Sequence, residues 1–525
     1  MLAGLGVAAI GGALAAASYR AFDLDRFFVP KELALHAGAL VAAVTLVARR
    51  GERHWFRADV ALAAWVLLSL WSAVYSTSGQ HAFRALGITL SGAAVFWAAS
   101  MLRDAGRSRA VVLLVAAAAT IASASSLAQA YGLTLDVFAL NRAPGGTLGN
   151  RNFIAHVAAM SLPLLIWLAA TAKTSFRALL GSGATLVAAA ALVLSRTRAA
   201  WLALAVWLIL AIPLVWRSRG VIRTALAPHR AKLLGGALIS GVALALVLPN
   251  TLDWRSDSPY LDSVKGVVNF REGSGAGRLK QYQNSLKMAR AHPLVGVGPG
   301  NWAAEYPAFA ARNDPSLSDA TGMAQNPWPS SDWVAAVSER GAIATAALAA
   351  FVLILLTNAW RGWSDSVFSS RERMGALAGG SVVLIGAVEG VFDAVTLLAF
   401  PTVILWAAAG ALIPAGRAVK VFSAPDARAR FYLAAIVALI WTGFVARSAF
   451  KIDAMRLFTQ GSYDSVRAAA ARDPGSYRIQ LRAAEIQAAR GYCRLAYHNA
   501  MRANGLFPHA VAAQKLVAQC ANSQR

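Results

Sequence analysis

The sequence contains a long series of apolar stretches, each long enough to cross a lipid bilayer as one helix. They lie near residues 2–18, 33–48, 60–76, 85–101, 110–131, 153–171, 178–195, 199–216, 233–249, 334–358, 375–396, 399–415 and 431–448. About 20 apolar residues span the hydrocarbon layer as a helix, because each backbone polar group must be paired within the segment. Hydrophobic residues make up 57% of the 525 residues, and a soluble core could not bury that fraction. We therefore predict an all-α polytopic membrane protein of about 12–13 transmembrane helices, with the first stretch as a spanning helix and not a cleaved signal peptide.

Basic residues cluster in every second connection between these stretches. The basic connections lie near residues 49–57, 103–109, 173–177, 217–232, 361–373 and 417–430, and the short ones between them carry far fewer lysines and arginines. Basic loops stay in the cytoplasm. We therefore expect a cytoplasmic N-terminus, with the connection 250–333 and the C-terminal tail on the opposite, periplasmic side.

The predicted organisation has two parts, a transmembrane domain over 1–449 and a helical tail over 450–525. The connection 250–333 is too long to be a simple linker, and such loops usually carry function; helix-like stretches occur within it around 278–291 and 301–311. The tail is predicted to form amphipathic helices at 452–471, 476–490, 492–505 and 508–521, separated by Pro and Gly. The length of 473–507 suggests a tetratricopeptide-like unit.

The net charge of +25 comes from basic residues that lie where they would set the membrane topology and contact anionic lipids. Nucleic acid is therefore not an expected partner. The cysteines, Cys493 and Cys520, lack metal-ligand spacing, and we expect no metal site. If the last two tail helices are antiparallel neighbours, these cysteines lie close together. Whether they form a disulfide is left open.

Two arginines interrupt the apolar pattern at a predicted outer turn. Arg196 and Arg198 flank Thr197 between two spans, against the positive-inside trend. Their side chains could extend to the lipid headgroups. Alternatively, a planar guanidinium there binds an anion presented at the membrane surface.

Two carboxylates, Glu389 and Asp393, lie one helical turn apart on one face of a predicted span. Carboxylates at membrane depth require a cationic partner or a raised pKa. The sequence permits a structural ion pair with a neighbouring arginine or a role in binding or catalysis.

The long connection contains a basic segment from Arg278 to His292, followed by a glycine-rich turn at 296–301 that includes Gly298 and Gly300. The backbone N–H groups of such a turn can bind a phosphate. The surrounding pattern is not that of a P-loop or a dinucleotide site, so this signal is weak alone.

These segments together resemble the O-antigen ligase and O-antigen polymerase family of bacterial membrane glycosyltransferases. Five elements match in order across residues 140–405: Gly145–Phe153 with Asn150 and Asn152; Thr197–Trp201 with Arg198; Arg278 and Tyr282 followed by His292–Asn301; Ser330–Trp333 with Asp332, followed by Glu339 and Gly341; and Phe392–Asp393 followed by Pro401. The large-loop signature at 292–301 is the most specific match.

The resemblance implies a GT-C-like fold in the bacterial inner membrane and a glycan donor carried on undecaprenyl diphosphate. An acceptor hydroxyl of lipid A–core, of a glycan or of a protein would attack the anomeric carbon at the periplasmic face, with no cofactor. By this resemblance Arg198 and Arg278 would bind the diphosphate, with Arg196 nearby, and Asp393 would orient an arginine or the acceptor. Ligase and polymerase cannot be distinguished by any motif.

One position departs from the family pattern, since Ser330 stands where the family has a histidine expected to act as the base. A serine hydroxyl is not basic at neutral pH. The open alternatives are Asp332, Glu339 or Asp393 as the base, proton acceptance by the diphosphate, His292 folding into the site, or loss of transfer activity.

Two other functions are compatible with many spans and charges at the membrane boundary. A transporter or flippase for lipid-linked oligosaccharides would show internal repeats and broken helices, and no clear repeat is visible. The second is an inactive glycan-binding scaffold, which would explain Ser330.

Overall fold

The computed structural model describes residues 1–254, 256–266, 273–423 and 425–521. Within these ranges the chain is almost entirely helical. The elements are α1 Leu2–Leu14, α2 Asp25–Ala48, β1 Arg53–Phe56, α3 Arg57–Val74, α4 Gly79–Asp104, α5 Ser108–Ala130, α6 Arg151–Ala170, α7 Ser175–Ser195, α8 Arg198–Arg217, α9 Arg219–Ala225, α10 Pro228–Val247, α11 Pro259–Lys265, α12 Gly273–Ala291, α13 Trp302–Phe309, α14 Asp332–Ser364, α15 Ser370–Phe392, α16 Ala399–Leu412, β2 Ala418–Phe422, α17 Ala427–Thr459, α18 Tyr463–Arg472, α19 Tyr477–Ala489, α20 Cys493–Leu506 and α21 Val511–Ala521.

Each predicted span corresponds to a helix in the structure. Among the described residues, eleven helices are long and apolar enough to cross a membrane, and two shorter apolar helices, α1 and α16, complete the set. The predicted all-α polytopic fold is therefore confirmed.

The second span was predicted too short. It begins at Asp25 and not near residue 33, because its first two turns contain charged residues that are neutralised inside the protein. Arg84 of α4 contacts Asp25 at 2.8 Å and binds Glu32 at 3.0 Å, and Lys31 donates to the carbonyl oxygen of Thr147 at 2.8 Å. An apolar window cannot detect a span whose charges are paired with other helices.

The interior of the bundle is built around α6 and α16. Residues of α6 are buried almost throughout, and α16 is buried along its whole length. Small residues allow close helix contact here: a Cβ at Gly410 of α16 would lie 2.4 Å from the carbonyl oxygen of Phe96 in α4. Such close approach is typical of packing between membrane helices.

A two-stranded sheet joins two of the basic connections at one end of the bundle. Strand β1 follows α2, strand β2 follows α16, and they pair antiparallel. Arg103, at the end of α4, donates to the carbonyl oxygen of Ile413 at 2.5 Å beside them. The long connection and helices α18–α21 are attached to the other ends of the spans, so they and the basic connections occupy opposite ends of the bundle.

Helix α14 is broken at Gly341, whose φ of 82° and ψ of 173° lie outside the helical region. Segment 292–301 of the long connection packs into this break. Val297 and Gly298 donate backbone N–H groups to the carbonyl oxygens of Ser338 and Glu339, at 3.0 and 2.8 Å, and Ala342 donates to Pro293 at 2.8 Å. The large-loop motif thus satisfies the backbone polar groups that the broken helix leaves unpaired.

The tail differs from the prediction at its first helix. A single helix over 452–471 was wrong: α17 continues past the predicted span to Thr459, and Gly461, with a φ of 73°, separates it from α18. The domain boundary predicted at 449/450 therefore falls inside a continuous helix. Buried residues of α17, including Ala454 and Met455, pack against Val466 of α18 and Val29 of α2, which favours its extension.

The last two helices bring the cysteines together as predicted. The sulfur atoms of Cys493 and Cys520 lie 2.9 Å apart, and both residues are thiols in this structure. The tetratricopeptide-like character of the tail stays a prediction.

We predict that Gly341→Ala strongly destabilises the protein. A Cβ there would lie 2.2 Å from the carbonyl oxygen of Leu294, and the backbone conformation is one that only glycine adopts readily. We expect the free energy of unfolding to fall by more than about 2 kcal/mol, measured as a lower midpoint of thermal unfolding in detergent.

The matched control is Gly277→Ala on α12. A Cβ at Gly277 meets no atom within 4 Å, and alanine favours helix over glycine by about 1 kcal/mol. Its midpoint should stay unchanged or rise; equal losses in both variants would contradict the role assigned to the break.

Candidate functional site

Ionisable side chains of α6 and α15 meet inside the bundle. His156 Nδ1 lies 3.3 Å from Glu389 Oε1, and His156 Nε2 lies 3.4 Å from Asp393 Oδ2. His156 and Glu389 are fully buried, whereas Asp393, directly after α15, retains 8% exposure. Asn152 and His156 lie one turn apart on α6. Glu389 and Asp393 are not one helical turn apart as predicted, because α15 ends at Phe392 and Asp393 is extended, with a φ of −156°. Both carboxylates nevertheless face α6, since both contact His156.

Asp393 connects this buried group to the end of the bundle where the long connection lies. Its Oδ2 accepts a hydrogen bond from Asn152 Nδ2 at 3.0 Å, and its Oδ1 accepts one from the backbone N–H of Ala394 at 2.9 Å. Arg278 of α12 lies 3.9 Å from Oδ2. Thr197 donates to Asn152 Oδ1 at 3.2 Å, so segments distant in sequence converge on one carboxylate.

The start of α6 explains why Asn152 is placed there. Gly149 adopts a left-handed φ of 73°, and the Asn150 side chain caps the helix by accepting the backbone N–H of Asn152 at 3.0 Å. The predicted motif around Asn150 and Asn152 is therefore a helix start that aims Asn152 at Asp393.

Four arginines surround this end of the site and form what we call the arginine cluster: Arg151, Arg196, Arg198 and Arg278. Arg198 lies within electrostatic range of both Arg278 and Arg151, and it donates to the carbonyl oxygen of Gly266 at 2.5 Å. Like charges held close together repel, and an anion bound between them relieves that repulsion. The predicted pair Arg198 and Arg278 is thus on one side of the molecule and in one cluster.

Arg196 is held in an unusual backbone conformation. Its φ of 52° places a non-glycine residue in the left-handed region, which costs about 1–2 kcal/mol. Its guanidinium lies over the ring of Trp254 at 4.5 Å, with Arg151 over the same ring at 5.7 Å, and it donates to Ser263 Oγ at 3.0 Å. Strain of this kind often accompanies function.

Two predicted catalytic carboxylates bind backbone N–H groups. Asp332, at the start of α14, accepts hydrogen bonds from Val395 at 3.0 Å and Thr396 at 2.8 Å. Glu339 accepts from Gly300 at 2.8 Å and Trp302 at 3.4 Å. In this arrangement Asp332 holds the segment that follows Asp393, and Glu339 holds the glycine-rich turn.

The glycine-rich turn itself is packed tightly against the bundle. A Cβ at Gly298 would lie 2.3 Å from Ser76 Cβ, and one at Gly300 would lie 2.8 Å from the His81 carbonyl oxygen. Since the backbone N–H groups of Gly298 and Gly300 donate to Glu339, the turn locks a loop against α14 and leaves these donors unavailable to a phosphate.

Ser330 lies where α12, α14 and α15 meet. Its backbone N–H donates to Gln281 Oε1 at 2.7 Å, and its carbonyl oxygen accepts the Tyr282 hydroxyl at 2.6 Å. The same hydroxyl oxygen lies 2.9 Å from the carbonyl oxygen of Val391 and shares its proton between the two carbonyl groups. Burial raises the pKa of Tyr282 to about 12, so it remains a donor at neutral pH and ties Ser330 to the end of α15.

His292 lies at the far end of α12 from Arg278. Fourteen residues of helix separate them by about 21 Å, and His292 is exposed. This separation argues against His292 acting at the same centre as Arg278.

His156 and Arg151 are the site residues that the sequence analysis missed. A single histidine in an apolar span is usually an ordinary packed residue. Arg151 lies at the start of a predicted span, where an arginine by itself does not indicate a site. The available signal was the spacing of Asn152 and His156, which repeats that of Glu389 and Asp393.

The comparison with protein families gives one finding. Residues 183–328 match a family model described as O-antigen ligase, which supports the family recognised from the motifs. The matched region contains Arg196, Arg198, Arg278 and the segment 292–301, and it ends before Ser330. No curated protein matches the chain.

We predict that His156→Leu destabilises the protein by about 3–5 kcal/mol, because it leaves the buried carboxyl groups of Glu389 and Asp393 without the imidazole that lies between them. The double variant His156→Leu/Glu389→Leu should recover a large part of this loss, since Asp393 keeps Asn152 and Arg278. Thermal unfolding of both variants in detergent measures the coupling. Additive losses would show that the two side chains do not interact.

Proposed function

We propose, on the premise that residues 183–328 form an O-antigen ligase domain, that this protein transfers a glycan from a lipid diphosphate to an acceptor hydroxyl. The observation that carries the proposal is the arginine cluster beside Asp393, at the end of the bundle where the long connection and the tail lie. The family implies a lipid-linked glycan and an acceptor in general; the finer assignments below are our proposal.

The donor that fits is a glycan on undecaprenyl diphosphate at the periplasmic face of the inner membrane. A diphosphate carries several negative charges, and guanidinium forks match its oxygens. The cluster lies at the bundle end opposite the basic connections joined by β1 and β2. If the positive-inside trend sets the orientation, that end is periplasmic and the N-terminus is cytoplasmic.

The proposed reaction is a direct displacement. A lone pair of the acceptor oxygen forms a bond to the anomeric carbon, while the bond from that carbon to the diphosphate oxygen breaks and leaves its electron pair on the diphosphate. The acceptor proton passes to Asp393. Arg198 and Arg278 stabilise the charge that develops on the leaving diphosphate, an effect that in other enzymes is worth about 10²–10³ in rate for one donor.

Asp393 is the carboxylate best placed to receive the proton. Asp332 and Glu339 hold the backbone of neighbouring segments, and Ser330 has no useful basicity, whereas Asp393 is the carboxylate that lies beside the arginine cluster, 3.9 Å from Arg278. His156 and Glu389 lie behind it and would act as positioning residues that hold the carboxylate towards the cluster. This arrangement supports an active transferase in spite of Ser330.

A transporter is the main alternative, and it shares one feature with the structure, a broken membrane helix. In transporters the broken ends line the substrate path. Here the break in α14 is filled by segment 292–301 and its backbone groups bind that segment, so the break has a structural explanation without transport.

We predict that Arg198→Ala and Arg278→Ala each lower the transfer rate by about 10²–10³-fold. The assay uses the full chain in lipid vesicles with a defined undecaprenyl-diphosphate-linked oligosaccharide and each acceptor in turn. Lysine replacements should retain part of the activity, since the charge stays but the planar fork is lost.

The matched control is Arg290→Ala, an exposed arginine at the other end of α12. Its transfer rate should equal that of the unmodified protein. Unchanged transfer in the double variant Arg198→Ala/Arg278→Ala would exclude the proposed transferase.

We further predict that Asp393→Asn abolishes transfer but preserves binding of undecaprenyl diphosphate. The amide keeps the shape of the side chain but cannot take up the proton. Binding and turnover are measured on the same preparation, with Glu389→Gln as a comparison that should retain more activity. Full turnover in Asp393→Asn would show that a group other than Asp393 accepts the proton.

A further inference from the structure

The two cysteines of the chain lie at one end of a helical hairpin in the tail, away from the arginine cluster. Cys493 is the first residue of α20, and Cys520 is the next to last residue of α21. The two helices pack against each other, and the two sulfur atoms lie 2.9 Å apart. Since one sulfur is at the start of its helix and the other is near the end, the helices run antiparallel.

Helix α21 has little besides this contact to hold it in place. It is 11 residues long, and isolated helices shorter than about 12–15 residues are marginal in water. Within this described helix only Ala513 and Cys520 are fully buried, so the apolar area that it removes from water is small. A covalent bond to α20 would restrain the helix where packing does so weakly.

The hairpin of α20 and α21 also contacts the long connection. Phe507, between the two helices, packs against the cluster that contains Trp302, Tyr306 and Leu317 of the long connection. The backbone N–H of Val511, the first residue of α21, lies 3.4 Å from the carbonyl oxygen of Thr321 and donates to it. The position of α21 therefore affects how the segment around residue 321 is held.

The two thiols differ in accessibility. Cys493 is partly exposed, whereas Cys520 is buried. Burial and the neighbouring Cys493 thiol raise the pKa of Cys520 to about 11. Because the thiolate is the form that attacks a disulfide and it must reach its target, Cys493 is the thiol that an external oxidant meets first.

The compartment decides whether two neighbouring thiols become oxidised. The tail lies at the bundle end opposite the basic connections joined by β1 and β2, which the positive-inside trend assigns to the periplasm. The periplasm is oxidising, and disulfides form and persist there.

We infer that Cys493 and Cys520 are joined by a disulfide in the cell, and that this bond fixes α21 and thereby the contact between the tail and the long connection. The inference goes beyond the proposed transfer function and shares with it the assignment of this end of the bundle to the periplasm.

The bond forms by thiol–disulfide exchange with a protein disulfide oxidant. The Cys493 thiolate forms a bond to one oxidant sulfur, and the S–S bond of the oxidant breaks and leaves its electron pair on the second sulfur. Cys520 then loses its proton and attacks the Cys493 sulfur, which releases the first oxidant sulfur as a thiolate. The two cysteines lose two electrons and two protons, and the oxidant disulfide becomes a dithiol.

The bond is tested on the full chain taken directly from cells. The cells are quenched with acid, thiols are blocked with N-ethylmaleimide in denaturant without a reductant, and the protein is digested with trypsin. Cleavage after Arg490, Arg494 and Lys515 releases peptides 491–494 and 516–525. We expect mass spectrometry to show these two peptides joined in most of the protein.

The control is Cys493→Ser, in which peptide 516–525 should carry the maleimide and so show that Cys520 is labelled when it is reduced. Recovery of the two peptides from the unmodified protein as separate species, each carrying the maleimide, would overturn the inference.

The role of the bond is tested by amide hydrogen exchange on the purified protein. Reduction should raise exchange by at least about tenfold in α21 and around residue 321, because the hairpin then opens more often. The double variant Cys493→Ser/Cys520→Ser should exchange like the reduced protein and should not respond to the reductant.

Helix α18 is the internal control, because its buried Val466 and Ala469 pack in a separate cluster with Val29 of α2. Its exchange should be the same in the oxidised and reduced protein. Equal exchange of α21 in the two states would show that the bond does not fix the contact and would overturn the inference. These measurements do not use glycan transfer, so their outcome is distinct from a failure of the proposed function.

Discussion

The contact of His156 with Glu389 and Asp393 is the interaction on which the rest of the site depends. Ionisable groups at membrane depth are costly, and they persist where they neutralise one another. Here one imidazole lies between carboxylates of a neighbouring helix, at 3.3 and 3.4 Å. This contact sets the relative position of α6 and α15, and Asp393 also contacts Asn152 and Arg278 at the end of the bundle where the long connection lies.

A second constraint is the pairing of backbone groups at the break in α14. A helix interrupted inside a membrane protein exposes N–H and C=O groups that lipid cannot satisfy. Segment 292–301 supplies partners, and Glu339 returns hydrogen bonds to the same segment. The long connection is therefore anchored inside the bundle. This anchor fixes the position of α12, which precedes segment 292–301, relative to the membrane helices.

The parts of the structure set by local sequence could be predicted, and those set by long-range pairing could not. Apolar length located the spans, and the turn between α7 and α8 marked Arg196 and Arg198. The start of α2 was misplaced because the charges of Asp25 and Glu32 are neutralised by Arg84, far along the chain. His156 escaped notice for the same reason, since its significance lies in partners more than 200 residues away.

Roles were harder to predict than positions. Asp332 and Glu339 carry the residue type expected of a base, yet the structure shows their oxygens bound to backbone N–H groups. Only the directions of neighbouring N–H groups reveal this, and a sequence does not contain them. Motif order, by contrast, was informative. The segments that contain Asn152, Thr197, Arg278 and Asp332 meet around Asp393 and the residues that follow it, whereas segment 292–301 packs into the break of α14.

The continuity of α17 has a mechanical consequence. Its 33 residues form a rod of about 50 Å, whereas the hydrocarbon layer is about 30 Å thick. A helix of this length is longer than the lipid layer is thick, so α17 carries the chain past the apolar region without a joint. Because Val466 of α18 packs with Val29 of α2 and the Phe507 ring contacts that of His81 in α4, the tail is held against the bundle at a level set by the length of α17.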